Sequence, residues 1–249
     1  MNEQPPPAPP PDPAKPVQPD KARRVRALFD DVAERYDLMN TVLGGGVHHL
    51  WANSMMDWLA PRQGMRLLDV AGGTGDIAGR FLQRLGGSGT AVVCDINQRM
   101  LEVGRDRAVD RNIVRGLSWL CGNAEALPIE DGFADAYTIA YGLRNVSNLE
   151  AALAEARRVL RPGGRFLSLD FSSVELPLLK STYNVYLDQL LPRVAKLFDV
   201  GGSDYLAESI RQFPDQATLA KAIARAGLGR VKYRNLMGGV AALHSAWRI

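Results

Sequence analysis

Cysteine and histidine are scarce in this chain, with two of the former and three of the latter among 249 residues. Two cysteines exclude a disulfide scaffold and every four-cysteine zinc site. His48, His49 and His244 show no ligand spacing with Asp or Glu, so no metal is expected. Cys94 and Cys121 each stand at or near a strand end and read as buried packing residues. An excess of one charge is also missing. Lys and Arg total 30 against 27 Asp and Glu, a net charge of +3, and a nucleic-acid binder usually carries a larger, clustered basic excess. No nucleic-acid partner is expected. No apolar run approaches the roughly 18 residues that a spanning helix needs. The N-terminus has neither the basic nor the apolar region of a secretion signal, so a reducing cytoplasm is the expected address.

Proline is thin except in one place. Nine of the fifteen prolines lie between Pro5 and Pro19, mixed with Ala, Gln, Asp and Lys. Residues 1–20 cannot bury enough apolar surface to offset their ordering entropy and are expected to be an extended, disordered tail. Residues 21–249 then form one domain. From Arg66 onward short apolar runs alternate with helical patterns. Strands are expected at Arg66–Val70, Thr90–Asp95, Leu117–Cys121, Ala134–Ala140 and Arg165–Asp170. Helices fall between them, the last of these over Leu149–Leu160. That helix should stop at the break Arg161-Pro162-Gly163-Gly164. Such alternation predicts an α/β fold, a doubly wound, mostly parallel sheet. Arg230–Asn235 and Val240–Trp247 add a C-terminal hairpin with an antiparallel strand, for seven strands in all. Two segments fall outside the alternation: a helical stretch within residues 21–60, and a helical insertion over 176–212. In the second, Leu179, Tyr183, Tyr186, Leu190, Val194 and Leu197 share one face. That stripe reads as core packing, as a lid over an apolar substrate, or as both.

The loop after the first strand, Asp69-Val70-Ala71-Gly72-Gly73-Thr74-Gly75-Asp76, carries the chemistry. Its glycines allow a tight turn and bring a ligand close to backbone N–H groups at a helix start. Gly73, Gly75 and Ala78 also satisfy the dinucleotide pattern G-x-G-x-x-G/A. A pyrophosphate, however, is poorly matched to a loop flanked by Asp69 and Asp76, whereas a cation is stabilised there. S-adenosylmethionine carries an ammonium and a sulfonium and fits. Asp95, at the end of the second strand, can accept from both ribose hydroxyls, and this suits NAD equally. Asn123-Ala124 follows the third strand, where a side-chain amide and a backbone N–H could read an adenine edge. The carboxyl edge of such a sheet is where ligands bind.

D-V-A-G-G-T-G-D (69–76), D-I-N (95–97), N-A-E-A-L-P (123–128) and R-V-L-R-P-G-G-R (158–165) together resemble class I S-adenosylmethionine-dependent methyltransferases, whose fold is Rossmann-like. R-Y-D-L-M-N (35–40), G-L-R-N-V (142–146), Y-L-A-E-S-I (205–210) and F-P-D-Q-A-T-L (213–219) narrow the resemblance to the ubiquinone/menaquinone biosynthesis C-methyltransferases. It runs from about Val25 to Ile249. It implies methylation at a ring carbon of a demethylmenaquinol or a 2-methoxy-6-polyprenyl-benzoquinol, with S-adenosyl-L-methionine as cofactor. By position, Thr74, Asp95, Asn123 and Ala124 match the family's cofactor-binding residues. Ala140 stands where the family often has Ser. Asp69 and Gly72 complete the expected cofactor site. The chain departs from the family at Gly46-Val47-His48-His49-Leu50-Trp51, which loses an arginine, at Thr41, and in residues 199–204.

Carbon methylation needs a positioned ring, a phenolate-like oxygen and exclusion of water. Arg144 and Asn145 follow the fourth strand and are expected to act catalytically, stabilising an oxyanion and ordering a water that relays the proton. Arginine itself stays charged below a pKa of about 12 and is no base. A structural ion pair of Arg144 with Asp170 or Glu125 is the competing reading. His48 is the candidate base by residue type, with His49 its rival. Tyr36 could contact substrate, and Asp37 could do so or cap a helix. A polyprenyl quinol lives in the bilayer, so docking at the inner membrane face through Arg23, Arg24, Arg26 and the 178–197 face is expected. A homodimer or a biosynthetic complex stays open. The competing functions are another small-molecule methyltransferase, a non-catalytic scaffold on the same fold, and, more remotely, an NAD oxidoreductase.

Overall fold

A computed structural model describes residues 46–113, 115–174, 183, 193 and 203–249. Outside them lie the tail, Tyr36, Asp37, Thr41, the three arginines at 23, 24 and 26, and the 178–197 stripe apart from Tyr183 and Arg193.

The strands are β1 (Arg66–Val70), β2 (Thr90–Asp95), β3 (Leu117–Cys121), β4 (Ala134–Ala140), β5 (Leu160–Phe171), β6 (Gly229–Leu236) and β7 (Ala241–Trp247). They form one sheet in the order β3-β2-β1-β4-β5-β7-β6. The first five pair in parallel, and β7 runs antiparallel to both β5 and β6. Among the described residues six helices surround the sheet: α1 (Val47–Leu59), α2 (Asp76–Arg84), α3 (Gln98–Asp110), α4 (Leu149–Val159), α5 (Ser203–Gln212) and α6 (Gln216–Arg225). This is the doubly wound, mostly parallel sheet with an antiparallel C-terminal hairpin that strand–helix alternation predicts.

Alternation along each strand feeds two cores. On one face Leu67, Val93 and Leu167 pack with Trp51, Met55 and Phe81 from α1 and α2. On the other, Leu68, Tyr137 and Phe166 pack with Leu153 of α4 and Ile223 of α6. Burial on both faces is why these parallel strands are almost continuously apolar. Local chemistry starts the helices. Asn97 Oδ1 accepts from the Met100 amide at 3.0 Å, Asn148 Oδ1 from Ala151 at 3.0 Å, and Asp215 Oδ1 from Thr218 at 2.7 Å, each satisfying a donor that the first helical turn leaves open.

Three details differ from the sequence reading. The stretch Arg161-Pro162-Gly163-Gly164 does not separate α4 from a strand starting at Arg165. Strand β5 begins at Leu160, which pairs with Ala134, and regular pairing resumes at Arg165 with Ala136, leaving an irregularity between. The last residues of the chain satisfy its backbone groups. Gly163 N–H donates to the Arg248 carbonyl (2.7 Å) and Arg248 N–H to the Gly164 carbonyl (3.0 Å). Secondly, Cys121 is exposed, while Cys94 is buried, because β3 is an edge strand with only β2 beside it. Thirdly, α6 was not anticipated, although Asp215 and the alanine-rich run after it are its signal. It is held down by a polar cluster around buried Gln216 and His244. His244 lies 2.9 Å from the Gln216 carbonyl, and Gln216 Nε2 donates to Ser173 O and Asn235 Oδ1. Among the described residues no helix is long and apolar enough to cross a membrane.

Candidate functional site

The strand order reverses between β1 and β4, and a crevice opens there at the carboxyl ends of the strands. The glycine loop after β1 forms its floor. Gly72 has no room for a side chain, because a Cβ would stand 2.8 Å from both Asp69 Oδ2 and Val93 Cγ1. Gly75 has φ 78° and caps α2, with Trp119 against it. Ala71 and Tyr141, which follow β1 and β4, also hold positive φ, at 50° and 58°. Left-handed backbone at two non-glycine residues is costly, and such strain collects at functional sites.

The resulting cleft encloses about 780 Å³, open solvent at its mouth included. Its wall includes Asp95, Asn123, Ala124, Ala140 and Asn145, five of the ten residues expected to act here. Asp95 is tied on both sides. Its Oδ2 accepts from the Gly73 amide at 2.9 Å and its Oδ1 from the Asn97 amide at 2.9 Å. Burial raises its pKa, against the pull of these amides. A carboxylate offers about four acceptor positions, and those that the backbone amides leave unused are open to a diol. Asn123 Oδ1 accepts from the Glu125 amide at 3.0 Å, which turns its NH₂ outward as a donor. Ile96 and Met100 add apolar wall beside Asp95. An acid for a diol, an amide for a base edge and apolar atoms for a ring fit a nucleoside-bearing cofactor. No cluster of three or more His, Cys, Asp or Glu among the described residues is placed to hold a metal.

The other five expected residues are placed differently. Gly72 and Thr74 belong to the loop but do not line the cleft. Asp69 lies beneath the loop and is fully buried. Its Oδ1 accepts from the Thr138 hydroxyl at 2.7 Å, and Oδ2 has no hydrogen-bond partner. Burial pushes its pKa up to about 7, the Thr138 hydroxyl opposing and the Asp76 charge adding to the rise. Asp76 is paired with Arg80 at 2.8 Å. Of Asp69, Asp76 and Asp95, only Asp95 lines the cleft. Arg144 is 9% exposed and is not on the wall. Its Nη1 pairs with Asp170 at 2.7 Å and donates to the Tyr141 carbonyl, and its backbone N–H reaches the second Asp170 oxygen at 3.1 Å. Of its two readings, the ion pair with Asp170 is the one the structure contains. His48 sits half-buried on the first turn of α1, its ring 3.9 Å from that of His49, and does not line the cleft either.

Residues 17–248 match the model of the ubiE/COQ5 methyltransferase family. The chain belongs to this family. It is 51% identical over 232 residues to the ubiquinone/menaquinone biosynthesis C-methyltransferase UbiE of Paracoccus denitrificans, covering 92% of both chains. It is 48% identical over 234 residues to UbiE of Brucella abortus, covering 92% of this chain and 87% of that one. Among solved structures, the cyclase SpnF superposes with a TM-score of 0.70 at 17% identity, over 94% of this chain and 97% of that one. A SAM-dependent methyltransferase from Aquifex aeolicus superposes at 0.60 and 15% identity, over 93% and 99%. These two likenesses show the fold, the class I methyltransferase sheet, and nothing further.

One residue of the cleft's surroundings carries more than its sequence motif disclosed. Tyr205 of α5, quoted above only as the start of Y-L-A-E-S-I, donates its hydroxyl to Asn145 Oδ1 at 3.0 Å. No sequence signal separates this tyrosine from a packing aromatic, since the bond joins residues 60 apart.

Asp69 yields a pH prediction. Its folded pKa lies above the unfolded value of 3.8, so its contribution to stability is fully present below about pH 4 and is lost as pH rises through about 7. Thermal unfolding of the cofactor-free protein should show Asp69→Asn gaining on the wild type as pH is raised from about 5 to 8. A difference that does not vary with pH contradicts the assignment.

Proposed function

We infer that the chain is an S-adenosylmethionine-dependent C-methyltransferase that methylates a ring carbon of a polyprenyl quinol in ubiquinone/menaquinone biosynthesis. The family match and the relatives sharing about half their residues over 92% of the chain support the activity. The observation that carries the residue roles is the cleft at the strand-order reversal, with Asp95 and Asn123 on one wall and Asn145 on the other side.

When bound, S-adenosylmethionine supplies an electrophilic methyl group on a sulfonium, and the sulfur departs as a neutral thioether. The chain's own residues hold and orient. Asp95 receives the ribose hydroxyls on the acceptor positions that the backbone leaves unused. The Asn123 NH₂ and the Ala124 backbone N–H read the adenine edge. The Gly73 region lies at the start of α2, where open N–H groups favour the cofactor's carboxylate. Ala140 serves by its small size at the end of β4. Asn145 faces the reacting ring and donates an N–H to the ring oxygen that gains negative charge. Arg144 acts through its ion pair, fixing the turn that presents Asn145. Asp69 and Gly72 shape the loop from below.

Methyl transfer from labelled S-adenosylmethionine to a demethylmenaquinol or a 2-methoxy-6-polyprenyl-benzoquinol is the direct test. Label recovered in the quinol ring is expected, and absence of transfer to both ring types overturns the proposal. For the ribose contact, Asp95→Ala should weaken S-adenosylhomocysteine binding by at least about 1.5 kcal/mol, the loss of charge-assisted hydrogen bonds. Unchanged affinity in calorimetry removes that assignment.

The substrate's tail places it in the bilayer, and the described residues include no helix able to cross one. We propose docking at the membrane surface, with Arg23, Arg24 and Arg26 as its electrostatic part. Replacing all three by glutamate should abolish flotation with anionic vesicles. Equal flotation of variant and wild type counts against that patch.

A further inference from the structure

Asn145 joins the cleft wall to the short turn Leu143–Asn145 and to α5. An amide side chain has an acceptor end and a donor end of nearly equal size, so its surroundings decide which end faces where. Here both ends are engaged. Nδ2 donates to the Tyr141 carbonyl at 3.2 Å, and Oδ1 accepts from the Tyr205 hydroxyl at 3.0 Å. The amide carries two N–H groups, and the second is left over on a residue that lines the cleft.

The clamp is firm on each side. Tyr141 is held at positive φ, with its N–H donating to the Leu169 carbonyl at 2.7 Å. Helix α5 is anchored by buried Ala207, Ser209 and Ile210. The Tyr205 phenol is half-buried, and burial raises its pKa, so it stays a donor through the neutral range. The charged groups around it are Arg144, Asp170 and Glu208, with Glu125 on the cleft wall.

We propose that Tyr205 is a positioning residue for the methyl transfer: by donating to Asn145 Oδ1 it turns the free Asn145 N–H toward the cleft, where it meets the ring oxygen. This rests on the quinol reading above and deepens it. A donor aimed at that oxygen favours its deprotonated form, the electron-rich state that ring methylation needs. Were the amide reversed, its carbonyl would face the same oxygen and repel the charge. The phenol never touches the reacting atoms in this scheme, so its removal should alter turnover and its pH dependence and leave cofactor binding alone.

The experiment is steady-state kinetics of Tyr205→Phe against pH in the full chain, with S-adenosylhomocysteine affinity measured beside it. Expected are an affinity within about twofold of wild type, a kcat lower by at least about tenfold, and an acid limb of the kcat profile displaced to higher pH. In an Asn145→Ala background the same substitution should cost nothing further. A wild-type kcat and pH profile in Tyr205→Phe overturns the inference, and so do additive losses in the double variant. A lowered melting temperature with an unmoved pH profile also overturns it, as the mark of a purely structural contact. Failure of the wild type to methylate either quinol would instead overturn the parent reading.

Discussion

The site depends on one carboxylate. Asp95 ends β2 and binds the Gly73 amide with one oxygen and the Asn97 amide with the other. The first bond pins the glycine loop of β1 against its neighbouring strand, and the second fixes the entry to α3, which Asn97 itself caps. A loop with so much glycine would otherwise sample many conformations. Held this way it has one, and the acceptor positions that Asp95 does not spend on backbone face the cleft. The same group therefore braces the floor and lines the cleft.

A second constraint works on the opposite wall. Arg144 and Asp170 form a buried ion pair at 2.7 Å, and such a pair is costly to break because either partner alone would be a buried, uncompensated charge. Both Asp170 oxygens are used on Arg144, one by its side chain and one by its backbone N–H. The short turn after β4 is thereby locked to the end of β5. Asn145 follows directly and has little freedom left. Phe171 and Tyr141 pack beside this pair, their rings 5.5 Å apart, and Trp51 of α1 meets Phe171 at 6.2 Å. One aromatic run thus ties Tyr141 on the cleft wall to α1.

Much of this was legible in the residues. Period and glycine punctuation gave the strands, and an acid and an amide at the carboxyl ends of β2 and β3 pointed to two residues that line the cleft. What escaped the sequence was whatever depends on distant partners. The Arg-Pro-Gly-Gly stretch reads as a stop, and only the chain's last residues, pairing with it, make it part of β5. Asp69 reads as a loop acid, yet Thr138 on β4, 69 residues away, receives it into the core. Cys121 reads as buried because its neighbours are apolar, and the strand order alone exposes it. Arg144 looked catalytic by type and place. Its partner Asp170 is legible as an acid at the end of the next strand, but the burial of the pair is not, because spacing does not encode it.

The central claim is that Asp95 and Asn123 hold a nucleoside while Asn145 faces the reacting ring. A crystal structure of the complex with S-adenosylhomocysteine tests it most directly. The account predicts both ribose hydroxyls within hydrogen-bond reach of the Asp95 carboxylate, the adenine edge on Asn123, and the sulfur directed toward the Asn145 side of the cleft. A ribose bound away from Asp95, or a sulfur pointing away from Asn145, would contradict it.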